Sequence, residues 1–89
     1  MTEREVEIVN RLGLHARAAA KLVHTSGAFQ SRVTVIKDGE EVDAKSILGI
    51  LLLAAGQGST LTIRCFGPDE EEALHAVTAL ITNRFDEES

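Results

Sequence analysis

The stretch Arg32-Val-Thr-Val-Ile-Lys-Asp-Gly39 decides how this chain folds. Its first six residues are rich in β-branched side chains, which favour a strand, and the Asp-Gly pair that follows is a strong signal for a tight hairpin turn. A short return strand is predicted over Glu40–Asp43. The chain therefore contains an antiparallel hairpin, and we expect the elements on either side of it to join or cover the same sheet.

The segments that flank this hairpin show the periodicities of strands and helices. Residues 5–9 and 60–66 alternate polar and apolar side chains, as half-buried strands do. Helices are predicted over 16–26 with Gly27 as the stop, over the apolar run 47–55, and after Asp69. The order strand, helix, strand, strand, helix, strand, helix indicates an α+β two-layer sandwich, with helices on one face of an antiparallel sheet.

Length and composition exclude several classes of protein. The 89 residues suit a single domain over 1–89, whose last residues, 86–89, are expected to form a frayed acidic tail. No apolar run approaches the roughly 18 residues of a membrane span, which argues against membrane insertion. A pI near 5.1 with only 3% aromatic residues argues against nucleic-acid binding.

The cysteine and histidine content points to a cytoplasmic protein without a metal site. A single Cys65 cannot form an internal disulfide, and the charged residues close to Met1 do not fit a signal peptide, so we expect a cytoplasmic location. Cys65 shares a predicted strand face with apolar residues and is expected to be a buried thiol. It shows no metal-ligand spacing with the three histidines, so no metal is expected.

The charged residues are unevenly distributed along the chain. No acidic residue lies between Glu7 and Asp38, whereas this window holds most of the basic residues and two of the three histidines: Arg11, His15, Arg17, Lys21, His24, Arg32 and Lys37. A local positive field of this kind can exist on a chain with a net charge of −5. The window therefore predicts an anionic ligand or partner.

His15 lies immediately before the first predicted helix. The N–H groups of Ala16, Arg17 and Ala18 have no partner within that helix, and the positive end of the helix dipole suits phosphate at the same place. The Arg17 guanidinium can reach this site as well. Because positive surroundings disfavour an imidazolium, we expect a neutral ring whose lone pair acts as a nucleophile. The hypothesis is a covalent phosphohistidine carrier.

The same features also have a purely structural interpretation. A histidine beside a helix start is commonly a cap or an ordinary surface residue, and Ser46 is a good N-cap for the helix that follows it. The apolar side chains after Ser46 are commonly core residues. A small α+β interaction module, with no covalent chemistry at His15, is therefore the alternative from a different class.

Two segments resemble a known family. The run Asn10-Arg-Leu-Gly-Leu-His-Ala-Arg-Ala-Ala19 resembles the active-site segment of the HPr family, the histidine phosphocarriers of the bacterial phosphoenolpyruvate-dependent phosphotransferase system. The run Ala44-Lys-Ser-Ile-Leu-Gly-Ile50 resembles the family's regulatory-serine segment, and the resemblance extends over nearly the whole chain. It implies an open-faced sandwich with a four-stranded antiparallel sheet and three helices, in the order βαββαβα.

The resemblance implies a specific reaction. His15 would accept a phosphoryl group on Nδ1 from phosphorylated enzyme I and pass it to a sugar-permease component. Arg17 and the backbone N–H groups of Ala16 and Ala18 would stabilise the phosphate. The chain would be a transferase-like carrier and not a stand-alone enzyme, and it would need no cofactor. A paralogue that serves the nitrogen-related regulatory branch is the alternative within this class.

Two positions depart from the family's pattern. Ala18 stands where the family usually has proline, so one more N–H is free near the phosphate and the start of the helix is less constrained. Ala16 stands where relatives often have threonine, so no side-chain hydroxyl is available there. The departure at Ala18 bears on the rate of transfer and on the lifetime of the phosphohistidine, whereas the nucleophile is retained.

The resemblance further implies regulation and docking. Ser46 would be modified by HPr kinase/phosphorylase, and a phosphate there is predicted to weaken exchange with enzyme I. The predicted docking surface combines basic and apolar side chains, namely Lys21, His24, Ile47, Leu48 and Leu51. A relay that must present one face to successive partners is expected to be a monomer.

Overall fold

A computed structural model describes residues 1–88 of the chain. Its elements are β1 (Thr2–Glu7), α1 (Ala16–Gly27), β2 (Arg32–Lys37), β3 (Glu40–Asp43), α2 (Ile47–Leu52), β4 (Thr60–Phe66), α3 (Glu70–Thr82) and a 3₁₀ turn over Arg84–Asp86. The predicted order βαββαβα is confirmed. None of the helices in the described part of the chain is long and apolar enough to cross a membrane.

The four strands form one antiparallel sheet in the order β1-β4-β2-β3. The hairpin between β2 and β3 is confirmed, since Val35 pairs with Val42 and the turn residues Asp38 and Gly39 both have positive φ, at 51° and 82°. Two left-handed residues in a two-residue loop match the twist of the flanking strands. The sheet places β4 at its centre, between β1 and β2, an arrangement that periodicity alone does not indicate.

The three helices cover one face of the sheet. The buried strand residues on that face include Val33, Val35, Leu61, Ile63 and Cys65, and the helices add Ala18, Ala19, Leu22, Ile50, Leu74, Val77 and Ile81. The other face carries polar side chains, and there the Arg64 Nε donates to Glu3 at 2.9 Å. The α+β open-faced sandwich is therefore confirmed, with one core between the sheet and its helices.

Two element boundaries differ from the sequence prediction. β1 covers Thr2–Glu7 and not 5–9, because Ile8 leaves the strand ladder and bonds instead to the loop before β4, through Gly58 and Ser59 at 2.8 Å each. Gly27 is the last residue of α1 and not a left-handed stop, because the helix ends at Ala28 in a tighter right-handed turn, with φ −73° and an N–H bonded to the Thr25 carbonyl.

Cys65 lies in the core, as the alternation of β4 predicts. Its side chain is fully buried, and burial, aided by the acidic side chains of Glu70 and Asp69, raises the pKa of the thiol to about 11. A thiol in this state is protonated at neutral pH and unreactive. The interpretation of Cys65 as a structural residue is confirmed.

Candidate functional site

The loop before α1 is built around Asn10 and Gly13. The Asn10 side chain is fully buried and its Nδ2 donates to the Gly13 carbonyl at 2.8 Å, while the Leu14 N–H donates to the Ala55 carbonyl at 2.9 Å. Gly13 has a φ of 64°, and a Cβ atom there would lie 2.6 Å from the Ala55 oxygen. Only glycine meets both conditions without strain, so this residue sets where α1 begins.

His15 occupies the N-cap position of α1 without using its side chain as a cap. Its backbone is extended, with φ −72° and ψ 176°, and the imidazole makes no hydrogen bond to the first turn of the helix. The first bond of the helical ladder runs from the Ala19 N–H to the His15 carbonyl, at 2.8 Å. The N–H groups of Ala16, Arg17 and Ala18 precede this bond and have no partner within the helix. Ala16 and Arg17 are exposed, whereas Ala18, predicted as a phosphate donor, is fully buried because it packs into the core.

The imidazole lies at the edge of a shallow surface depression. The depression has a volume of about 320 Å³ and is lined by Arg11, Leu12, His15, Arg17 and Glu87. His15 has 26% of its side chain exposed, so the ring is accessible from solvent. The structure thus brings His15 and Arg17 together as the sequence predicts, and it adds the second guanidinium of Arg11. Two arginines beside an imidazole suit an anionic group.

Glu87 is the site residue that the sequence interpretation missed. Its carboxylate forms a short hydrogen bond with the His15 Nε2, and its other oxygen accepts from the Asn10 Nδ2 at 3.1 Å. Only 15% of the side chain is exposed, so Glu87 is not part of a frayed, solvated tail, whereas its neighbours Asp86 and Glu88 are exposed. Ser89 lies outside the described residues.

The protonation state of Glu87 follows from these contacts. The hydrogen bond from His15, followed by that from Asn10 and the charge of Lys21, lowers the pKa of this carboxyl below its ordinary value. Glu87 is therefore ionised at neutral pH and acts only as an acceptor.

Lys21 and His24, predicted as parts of a docking surface, have different environments. The Lys21 ammonium donates to the Phe85 carbonyl at 2.7 Å, and its side chain is half-buried. His24, in the last turn of α1, is exposed. Lys21 is therefore tied to the end of the chain and is not freely extended toward solvent, because the turn after α3 packs beside α1.

Ser46 is the N-cap of α2, which confirms its structural interpretation. Its backbone is extended and its Oγ accepts from the Gly49 N–H at 3.2 Å. This bond satisfies one of the donors that a helix start leaves unpaired. The hydroxyl itself is half-buried beside the exposed first turn of α2.

The apolar side chains of α2 separate into a buried and an exposed set. Ile50 and, just after the helix, Leu53 are buried in the core. The exposed set consists of Ile47, Leu48, Leu51 and Leu52, of which Leu48 and Leu52 are 66% and 67% exposed. Three members of this exposed set, Ile47, Leu48 and Leu51, are those that the sequence interpretation placed on the docking surface. The sequence interpretation did not assign Leu52 to the exposed side.

Comparisons with known proteins agree on one family. A family model described as the PTS HPr component phosphorylation site matches residues 2–83. The phosphocarrier protein HPr of Cupriavidus necator is 55% identical over 87 residues, which make up 98% of each chain. The crystal structure of HPr-C-His from Thermoanaerobacter tengcongensis is 46% identical, has a TM-score of 0.97 and covers 100% of both chains.

Two further similarities concern the nitrogen-branch alternative and the oligomeric state. The phosphocarrier protein NPr of Shewanella violacea is 44% identical over 87 residues, covering 98% of this chain and 96% of that protein. A crystal structure of an HPr dimer from Thermoanaerobacter tengcongensis is 46% identical, with a TM-score of 0.79 and coverage of 98% and 100%. The relatives therefore carry both names, HPr at the higher identities, and one of them has been crystallised as a dimer. The monomer expectation stays a prediction.

Proposed function

The chain belongs to the HPr family of phosphocarrier proteins, and from that premise we propose that His15 is the residue that carries the phosphoryl group. One observation supports this assignment above the others: His15 stands at the N-cap of α1 but leaves the first amides of the helix free, beside the guanidinium groups of Arg11 and Arg17. A ring that capped its own helix would occupy the donors that a phosphate needs.

The proposed reaction has two steps: one phosphoryl group is transferred from a donor to His15, and the same group is then transferred from His15 to an acceptor. The lone pair of His15 Nδ1 attacks the phosphorus of the phosphorylated donor, the new N–P bond forms, and the bond between phosphorus and the donor breaks with its electron pair remaining on the donor. The acceptor then attacks the same phosphorus, and the N–P electron pair returns to Nδ1. The Arg17 side chain and the N–H groups of the exposed residues Ala16 and Arg17 stabilise the charge on the phosphate oxygens in both steps.

The partners follow from this function. We propose phosphorylated enzyme I as the donor and a sugar-permease component as the acceptor, with the exchange taking place in the cytoplasm. The exposed set on α2, with His24 at the far end of α1, is the proposed docking surface. Apolar side chains of this size that remain in solvent on a small domain favour a protein–protein contact.

The assignment of His15 is tested by phosphorylation with purified components. The protein is incubated with phosphoenolpyruvate, magnesium and enzyme I, and its intact mass is measured before and after mild acid treatment. We expect an acid-labile gain of one phosphate that His15→Ala abolishes and that His75→Ala, at an exposed histidine of α3, leaves unchanged. A gain that persists in His15→Ala, or no gain in the wild type, would contradict the assignment, and the second result would favour the interaction module.

Ser46 is the proposed site of regulation by HPr kinase/phosphorylase. A phosphoserine adds about two negative charges next to the exposed apolar set. We expect Ser46→Asp to exchange phosphate with enzyme I more slowly than the wild type. Ser46→Ala is the matched control, because it removes the same hydroxyl without adding charge, and it should exchange at close to the wild-type rate. Equal rates for all three proteins would exclude this regulation.

Service in the nitrogen branch is the second candidate, and the similarity to an NPr protein is the observation that favours it. Phosphate transfer from the charged carrier to a sugar-branch acceptor and to a nitrogen-branch acceptor, measured side by side, separates the two. Faster transfer to the nitrogen-branch acceptor would replace the sugar-branch assignment.

A further inference from the structure

The last described residues form a defined turn that brings the chain end back to α1. Arg84, Phe85 and Asp86 all have positive φ, between 54° and 63°, which non-glycine residues adopt only when their surroundings hold them there. The Phe85 side chain is fully buried in the core, and its carbonyl accepts from Lys21 Nζ at 2.7 Å. The Glu87 N–H closes the turn onto the Arg84 carbonyl at 2.9 Å.

This turn places the Glu87 carboxylate in contact with both His15 and Asn10. One oxygen contacts the His15 Nε2 and the other accepts from the Asn10 Nδ2, whose second hydrogen is directed at the Gly13 carbonyl. The fully buried Asn10 fixes one oxygen of the carboxylate, and the imidazole contacts the other oxygen. The charge of Lys21 on α1 acts on Glu87, and Arg11 and Arg17 line the same depression.

We propose that Glu87 is a positioning residue that holds His15 in the tautomer with the proton on Nε2, so that Nδ1 carries the nucleophilic lone pair; this inference rests on the proposed function of His15. An ionised carboxylate can only accept, so its partner nitrogen must keep a proton. In a neutral imidazole the second nitrogen is then free of a proton. The contact with Glu87 thus gives a physical reason for phosphorylation at Nδ1, the nitrogen that the family resemblance implies.

The same contact stabilises the phosphorylated state. When Nδ1 forms its bond to phosphorus, the ring keeps the Nε2 proton and gains a positive charge. The Glu87 carboxylate balances that charge in place, and no proton has to leave or enter. When the phosphoryl group departs, the electron pair returns to Nδ1 and the neutral tautomer is restored directly. Glu87 lies on the Nε2 side of the ring, so it does not occupy the side where the phosphate binds.

Three variants separate this role from a structural one. Glu87→Ala removes both the hydrogen bond and the charge. Glu87→Gln keeps an acceptor oxygen for Nε2 but removes the charge. Glu88→Gln is the matched control, because it removes one negative charge from the next, exposed residue.

The first readout is the ¹⁵N chemical shifts of the His15 ring in the unphosphorylated protein, at about pH 8.5, where an ordinary histidine is neutral. The wild type and the Glu88→Gln control should show the Nε2-protonated tautomer, Glu87→Gln should retain it, and Glu87→Ala should show a mixture of both tautomers. The second readout is the rate of phosphoryl transfer from enzyme I. Loss of a hydrogen bond to a charged group predicts a rate about ten-fold lower for Glu87→Ala, with Glu87→Gln between it and the wild type.

An unchanged tautomer ratio in Glu87→Ala would overturn the proposal, and so would transfer by that variant at or above the wild-type rate. Failure of the proposed function looks different: the wild type itself would gain no phosphate on His15. In that case the ring shifts would still decide whether Glu87 sets the tautomer.

Discussion

Two helix starts in this small domain use the residue before the helix in opposite ways. At α2, the Ser46 hydroxyl accepts from the Gly49 N–H, so the helix satisfies one of its own donors. At α1, the His15 side chain makes no such bond and is turned instead toward Glu87. The difference shows that a free helix start is not simply a missing cap. Two features outside α1 produce it: the loop at Gly13 sets where the helix begins, and Glu87 contacts the His15 ring.

The side chains that surround the two helix starts also differ in chemical character. The start of α1 faces Arg11 and Arg17, which suit an anion, whereas α2 presents the exposed apolar set that begins with Ile47 and Leu48. One helix start is therefore suited to a phosphate and the other to a protein surface.

The largest effect is expected from Gly13→Ala, which disturbs the start of α1. The new Cβ would lie 2.6 Å from the Ala55 oxygen, at a φ that alanine disfavours. We expect a loss of about 2–3 kcal/mol in the free energy of unfolding, measured by chemical denaturation, with a matching fall in phosphorylation. Gly56→Ala is the control, because a Cβ there meets nothing within 4 Å. Equal stability of the two variants would mean that Gly13 does not set the helix start.

Leu48→Glu tests the apolar side of the contrast. Because Leu48 is exposed, we expect an unchanged thermal midpoint and a rate of exchange with enzyme I about ten-fold lower, which corresponds to about 1.4 kcal/mol of docking free energy. Phe66→Glu places the same charge at another exposed apolar residue, on β4, and should leave the rate unchanged. A large loss of thermal stability in Leu48→Glu would instead identify Leu48 as a core residue.

Ser46→Ala and His15→Ala compare the two N-caps directly. Removing the Ser46 hydroxyl leaves the Gly49 N–H without its partner, at a cost of about 1 kcal/mol in the free energy of unfolding. His15→Ala removes no cap bond and should cost about 0.5 kcal/mol or less, from the loss of its contact with Glu87. Thermal or chemical denaturation of both variants measures the difference. A cost for His15→Ala as large as that for Ser46→Ala would remove the contrast between the two starts.

The smallest effect is the pH dependence that Glu87 contributes. The folded state lowers the pKa of Glu87 from its ordinary value of 4.5, so the unfolded chain binds more protons in the interval between the two values. The stability due to Glu87 is complete above about pH 4.5 and is lost as the pH falls through the lowered value.

Glu87→Gln should therefore be less stable than the wild type near neutral pH, and the difference should shrink in acid. Asp69 and Glu70 also have lowered pKa values, through bonds to Ser31 and Gly67 respectively, so only the difference between variant and wild type isolates Glu87. Glu88→Gln, at the next and exposed residue, is measured alongside as the control. A constant difference for Glu87→Gln would show that its carboxylate is not linked to folding.

Much of the fold could be predicted from the sequence because its signals are local. The span Arg32–Lys37, the turn at Asp38 and Gly39, and the span Thr60–Phe66 were all predicted at their observed positions. Each of these is determined by side chains that are neighbours along the chain. The ends of β1 and α1 were less accurate, because hydrogen bonds to distant loops and the geometry of the last turn decide them.

Local sequence likewise predicts some residues of the candidate site and not others. His15 and Arg17 were identified because they are two residues apart at a helix start. Glu87 was assigned to a solvated tail because 72 residues separate it from His15 along the chain, and its acidic neighbours resemble a disordered end. Asn10 gave no functional signal beyond its place before a glycine loop.

Local sequence is sufficient to specify the sheet-forming segments, the helix that begins after His15 and the cap at Ser46, since each depends on conformational preferences of a few consecutive residues. Long-range packing sets the strand order, the turn of Arg84–Asp86 and the contact of Glu87 with the imidazole. The turn and the placement of Glu87 require left-handed backbone at residues that do not favour it and a buried Phe85. The strand order depends on pairing between segments that are distant along the chain. The proposed control of the histidine tautomer by Glu87 therefore depends on the folded domain and not on the motif around His15.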